Sequence, residues 1–72
     1  DYPGKEIAIK TQYVWDQQFN SIINVVYGNE WNAGNLSYHL KSRPIWKGFV
    51  EREKLDELRD YMCFDGVCVG SK

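Results

Sequence analysis

The stretch that decides the fold runs from Phe19 to Phe49 and reads FNSIINVVYGNEWNAGNLSYHLKSRPIWKGF. Apolar side chains recur at i, i+3, i+4 and i+7 from Phe19, which is the spacing of one face of an amphipathic helix. Gly28 can follow the end of that helix, because glycine readily adopts the left-handed conformation found there. The sequence therefore predicts a helix that ends near Tyr27, followed by a tight turn over residues 28–32.

A second helix is predicted over residues 33–42. Asn32 can cap it, because a short side-chain oxygen accepts a hydrogen bond from the first helical turn. Leu36 and Leu40 stand four residues apart and would face inward together. The proline that follows prevents further helix, and the apolar residues 45–50 then predict a strand in which Gly48 marks a bend.

The flanking segments complete the predicted order of elements. Residues 6–14 alternate apolar and polar side chains, which is typical of a strand. Residues 51–62 show a narrow apolar stripe on a charged background and predict an acidic helix with a solvated outer face. Asp65-Gly66 is a strong signal for a two-residue hairpin. We therefore expect residues 1–72 to form one small α+β domain: strand, helix-turn-helix, strand, helix and C-terminal hairpin.

The residue types that carry catalysis or bind metals are sparse. Cys63 and Cys68 would face each other across the hairpin at a distance that permits a disulfide, but a cytoplasmic compartment keeps thiols reduced, and we expect free thiols. His39 is the only histidine and has no suitably spaced cysteines, so it predicts no zinc site. With no phosphate loop, nucleophile elbow or cofactor fingerprint, we expect a protein that is not an enzyme and uses no metal or cofactor.

Charge and hydropathy bear on the partners. The formal net charge is -1, whereas ordinary DNA binders are basic. Residues 32–50 contain only basic charges and residues 51–65 are mainly acidic, an asymmetry that concerns partners and not fold. No apolar run approaches the roughly 20 residues that span a bilayer, and residues 1–10 hold no signal-peptide core. We expect a monomer in the cytoplasm, although a mature secreted chain would share this pattern.

Three short motifs occur in a recognisable order. The first is F-x-S-I, formed by Phe19, Ser21 and Ile22. The second is N-L-S-x-x-L, formed by Asn35, Leu36, Ser37 and Leu40. The third is K-G-F, formed by Lys47, Gly48 and Phe49. This order resembles the nuclease-associated modular DNA-binding repeat of phage homing endonucleases and covers about half of the chain. The resemblance implies a helix-turn-helix fold, but the nuclease domain that usually accompanies the repeat has no counterpart here.

Two functions fit these observations. The first is a phage-type regulator, similar in size and style to small phage proteins that bind bacterial RNA polymerase, which blocks or redirects transcription by steric competition in the host cytoplasm. The alternative is a DNA-binding module that places helix 33–42 in the major groove. Because few basic residues are present to release counterions, the protein partner is favoured. The candidate contact residues are Trp31, Asn35, Tyr38, Lys41, Arg43 and Lys47.

The tryptophans are expected to differ in their surroundings. Trp46 lies in an apolar segment and is predicted to be buried. Trp31 lies in the predicted turn between polar residues. It is either an exposed anchor for a partner, because tryptophan is a frequent hot-spot residue, or a cover over the ends of both helices.

Overall fold

Three helices and a four-stranded sheet make up the computed structural model, which describes residues 2–72 and confirms the α+β class. The elements in chain order are α1 (Gly4–Gln18), β1 (Val25–Tyr27), α2 (Glu30–His39), β2 (Ile45–Trp46), α3 (Arg52–Leu55), β3 (Asp60–Phe64) and β4 (Val67–Ser71). The strand order in the sheet is β2-β1-β4-β3. β1 runs parallel to β2, and β4 runs antiparallel to both of its neighbours.

The first element is a helix, so the predicted strand over residues 6–14 is wrong. The side chains that α1 buries follow a helical spacing and include small residues: Gly4, Ala8, Thr11 and Trp15. The large side chains that suggested alternation are not all inside, since Ile9 and Tyr13 are exposed. A helix buries the residues that recur every three or four positions, and here those residues are mostly small.

The segment after α1 is irregular and then extended, so the predicted helix ending near Tyr27 is also wrong. Val25–Tyr27 forms β1, and all three of its residues are buried. Branched side chains crowd this region of the sequence and favour a strand over a helix. Gly28 has a φ of 148° but follows a strand. The expected helix-turn-helix is therefore not formed, because a strand separates α1 from α2.

The second predicted helix is confirmed with shifted ends. α2 spans Glu30–His39 where residues 33–42 were expected. Its cap is Asn29, whose Oδ1 accepts a hydrogen bond of 2.8 Å from the backbone N–H of Asn32. Asn32 therefore belongs to the first turn and does not cap the helix. Leu36 and Leu40 are both buried, as expected.

The later elements are shorter than predicted. Of residues 45–50 only Ile45–Trp46 forms a strand, and of residues 51–62 only Arg52–Leu55 is helical. The hairpin over Asp65-Gly66 is confirmed, with positive φ at both turn residues. A two-residue hairpin requires a strand on each side of its turn, so residues 60–64 pair with β4 and cannot continue a helix.

The sheet is covered on both faces. α1 and α2 pack on one face, where the buried cluster comprises Ala8, Trp15, Ile23, Val26, Ala33, Leu36, Leu40, Val67 and Val69. The segment around α3 covers the other face, where the cluster comprises Val25, Tyr27, Leu55 and Cys68 with Leu58 packed against them. Successive residues of β1 and β4 alternate between the two clusters, as the pleat of a strand requires.

A disulfide joins Cys63 of β3 to Cys68 of β4, so the expectation of free thiols is wrong. The two residues are direct partners in the antiparallel register, and their Cα atoms are 4.0 Å apart. This is the close pairing that the two-residue turn predicts. The bond ties the edge strand of the sheet to its interior neighbour.

Candidate binding site on the second helix

The outward side of α2 carries two large aromatic side chains. Trp31 is 65% exposed and Tyr38 is 66% exposed, and their spacing of i and i+7 places them on one side of the helix. Gly34 lies between them and lines a groove of about 380 Å³. Glu30 and Asn35 complete the lining. We call these five residues the α2 face.

Neighbouring residues support both aromatic rings without burying them. The Tyr2 ring meets Trp31 in a T-shaped contact with the ring centroids 5.7 Å apart. The guanidinium carbon of Arg43 lies 5.1 Å from the centroid of Tyr38, within the range of a cation–π interaction. Asn35 donates from Nδ2 to the backbone carbonyl of Trp31 at 2.8 Å. The rings are thus held by local contacts and remain open to a partner.

The structure brings together four of the six predicted contact residues. Three of them lie on the α2 face: Trp31, Asn35 and Tyr38. Arg43 joins them through its contact with the Tyr38 ring. Lys41 is exposed in the turn after α2, and Lys47 is exposed in the loop after β2. The basic residues are therefore distributed over separate segments, and the aromatic residues form the compact part of the site.

The sequence analysis missed two residues of the α2 face. Glu30 was assigned to a turn, because the helix was expected to begin after Asn32. Gly34 was given no role, although a glycine inside a predicted helix lowers its stability and calls for a reason. The signal that could have found this site is a glycine placed three residues after one aromatic residue and four residues before another.

A larger groove of about 810 Å³ runs between α1, α2 and the β3–β4 hairpin. Its apolar lining consists of Ile7, Val14, Leu36, Met62, Phe64 and Val67. Its two charged side chains, Lys10 and Asp65, carry opposite signs. The charges therefore select neither a cation nor an anion, and the groove defines a ligand less sharply than the α2 face does. The sequence did not predict this groove, because residues 6–14 were expected to form a strand and residues 51–62 a helix.

Trp46 is 36% exposed, so its predicted burial is wrong. β2 is an edge strand with β1 as its single neighbour in the sheet, which leaves part of the indole open. The indole Nε1 donates to the carbonyl of Gly28 at 2.9 Å, and the ring meets Phe49 edge-on. Through these contacts Trp46 stabilises the edge of the sheet.

Tyr27 has a displaced pKa and lies away from the α2 face. Burial raises the pKa of the Tyr27 phenol above its ordinary value of 10.0, and the Glu57 carboxylate adds to the rise. Tyr27 packs with the α3 side of the sheet and lies away from the α2 face. His39 is half-buried, as expected for a partly buried histidine on the helix. Within residues 2–72, no group of three His, Cys, Asp or Glu side chains is placed to hold a metal ion.

Among the described residues, no helix has both the length and the apolar character needed to cross a membrane. Comparison with known proteins does not indicate a function, and the geometry described above is the basis for proposing one. No family model, curated protein or solved structure matches this chain.

Proposed function

We propose that this chain is a small regulatory protein that binds another protein through the α2 face and acts by occupying a surface that a competing factor needs. The observation that carries the proposal is the pair Trp31 and Tyr38, both exposed on one side of a capped helix, with Arg43 stacked on the tyrosine. Trp, Tyr and Arg are the residue types that most often dominate binding at protein interfaces.

The packing of α2 on the core suits a helix that binds a protein partner. Ala33 and Leu36 anchor α2 on the sheet, and Asn29 caps its first turn. The exposed rings are therefore presented on a rigid element, and little ordering entropy is lost when a partner binds. A steric mechanism follows, since a compact domain that docks through one helix blocks the area around its contact.

The charges of the α2 face favour a protein over duplex DNA. Glu30 contributes a carboxylate to the face, which would repel phosphate groups. The basic residues near the helix, Lys41 and Arg43, follow its C-terminal end, and the chain as a whole is slightly acidic. Nucleic-acid affinity depends chiefly on basic side chains that neutralise phosphates.

The first partner to test is bacterial RNA polymerase, because the chain is similar in size and style to small phage proteins that bind this enzyme. This choice of partner rests on the sequence. Because the cytoplasm keeps thiols reduced, the protein would meet the polymerase with Cys63 and Cys68 as thiols. The mode of binding, an aromatic helix face docked on a protein surface, rests on the geometry of α2.

The test measures binding of the purified chain to bacterial RNA polymerase holoenzyme by biolayer interferometry. Trp31→Ala and Tyr38→Ala should each weaken binding by about 30-fold or more, the loss expected for hot-spot residues. The matched control is Tyr13→Ala, because Tyr13 is 65% exposed but lies on α1. Its binding should stay within about twofold of the parent.

The outcomes separate the parts of the proposal. If the holoenzyme does not bind, the choice of partner is wrong. If Tyr13→Ala weakens binding as much as Trp31→Ala, the choice of surface is wrong. Tight binding to duplex DNA that weakens steeply between low and physiological salt would instead support the DNA-binding alternative.

A further inference from the structure

Gly34 is the residue of the α2 face that the fold does not explain. A methyl group added at its Cα would meet no atom within 4 Å, so no close packing requires a glycine. Its φ is not among the positive values, so no turn requires one either. Glycine is the least favourable helix residue apart from proline. What its small size provides is open space between Trp31 and Tyr38.

That space is a notch with aromatic walls and a carboxylate. Trp31 and Tyr38 form the walls, Gly34 forms the floor, and Glu30 supplies the only carboxylate of the lining. No salt bridge among the described residues involves Glu30. Aromatic faces and carboxylates both attract cations.

We propose that this notch binds an arginine side chain presented by the protein partner; the inference rests on the proposed function for the partner being a protein. The aliphatic stem would lie against the aromatic walls, and the planar guanidinium would stack on a ring while donating hydrogen bonds to the Glu30 carboxylate. Arg43, which lies outside the notch lining, already places its guanidinium carbon 5.1 Å from the centroid of the Tyr38 ring, so this ring accepts a guanidinium within cation–π range.

The test needs no partner protein. The ¹⁵N-labelled chain is titrated with the peptide acetyl-Gly-Arg-Gly-amide, and the indole N–H signals of the three tryptophans are followed by NMR. The Trp31 signal should shift progressively as the peptide concentration rises, as expected for a weak, exposed cation–π site. The signals of Trp15 and Trp46 should not move, because neither lines the notch. The matching citrulline peptide, which has the same shape without the charge, should bind at least about fivefold more weakly.

Two variants test the roles of the Glu30 carboxylate and of the open space at Gly34. Glu30→Gln should weaken the arginine peptide by about fivefold, whereas Glu6→Gln, which removes a carboxylate from the first turn of α1, should leave binding unchanged. Gly34→Leu fills the notch and should abolish the Trp31 shift. The helix should tolerate it, because leucine is a strong helix former and the space is open. An unchanged circular dichroism spectrum confirms that the variant is folded.

Several results would overturn the inference. Equal shifts with the arginine and citrulline peptides would show that the positive charge of the peptide does not matter. Equal effects of Glu30→Gln and Glu6→Gln would show that the Glu30 carboxylate does not bind the peptide. A lysine peptide that binds more tightly than the arginine peptide would exclude the preference for arginine. If Trp31→Ala disrupts binding to a protein partner while the arginine peptide leaves the Trp31 signal unmoved, the proposed function stands and this inference alone fails.

Discussion

Replacing Trp15 by phenylalanine tests how the irregular segment after α1 is held. The indole is 0% exposed and donates from Nε1 to the Ser21 carbonyl at 2.7 Å, while its ring packs on Phe19 with centroids 4.5 Å apart. Phenylalanine removes the indole nitrogen and two buried carbon atoms, and each carbon is worth about 0.8 kcal/mol. It also leaves a carbonyl without its donor, which costs about 1 kcal/mol more. We therefore expect a loss of about 3 kcal/mol in the free energy of unfolding.

That loss is large for this chain. A domain of this length has a total stability of about 4–11 kcal/mol, so Trp15→Phe should remain folded with a melting temperature lower by roughly 12–24 °C. Urea unfolding followed by far-UV circular dichroism measures the difference without relying on tryptophan emission. The same substitution at the other two tryptophans supplies matched controls.

The controls differ in the contacts that they lose. Trp31→Phe should change stability by less than about 0.5 kcal/mol, because the side chain is exposed. Trp46→Phe should cost about 1 kcal/mol, because it loses the hydrogen bond to Gly28 at the edge of the sheet. If the free energies of unfolding of Trp15→Phe and Trp31→Phe differ by less than about 0.5 kcal/mol, with the same slope against urea concentration, Trp15 does not hold the segment after α1 in place.

Three further predictions concern the cap, the disulfide and pH. Asn29→Ala should destabilise the fold by about 1 kcal/mol in urea titrations, while Asn32→Ala should not, which separates the observed cap from the expected one. A thiol assay on the unreduced, denatured protein should find no free thiol at Cys63 or Cys68, and reduction should cost about 2 kcal/mol for so short a loop. The pKa of Tyr27 is higher in the folded protein than in the unfolded chain, where the phenol loses its proton near pH 10. Above pH 10 the unfolded state therefore binds fewer protons than the folded state, and the free energy of unfolding should fall. Tyr27→Phe should remove that part of the decline between pH 9 and 11, and an identical decline in the variant would contradict the assignment.

The two wrong predictions in the first third of the chain each have a physical cause. The prediction for α1 followed the large residues Ile7 and Ile9, but the helix buries Ala8 and keeps Ile9 exposed. Small residues give a weak hydrophobic signal even where they let two helices approach closely. The prediction for residues 19–27 followed a helical spacing and gave too little weight to the crowding of branched side chains, which favour strands.

The error near the C-terminus was avoidable from the sequence. A hairpin over Asp65-Gly66 and a helix reaching Met62 cannot both form, because the hairpin requires its preceding residues as a strand. The turn signal was the stronger of the two and gave the correct register for both cysteines.

The candidate site was predicted in part. Trp31, Asn35 and Tyr38 were chosen as exposed residue types that bind partners, and α2 brings them together because its helical prediction was sound. Glu30 and Gly34 could not be placed beside them until the true start of the helix was known. The grouping of Arg43 with Tyr38 depends on the turn after α2, where Arg43 has a φ of 49°, a conformation that no local pattern indicated.

The position of β4 has a consequence for how the protein assembles. β4 follows the other three strands in sequence, yet it lies inside the sheet between β1 and β3. Val25 of β1 pairs with Gly70, so the central strands join distant parts of the sequence, and such contacts form late and slowly. While the chain emerges from the ribosome, β1 and β2 lack the strand that completes their sheet until residues 67–71 appear. We expect the domain to gain protection from proteases only at that point, and chains that end before Val67 to be degraded.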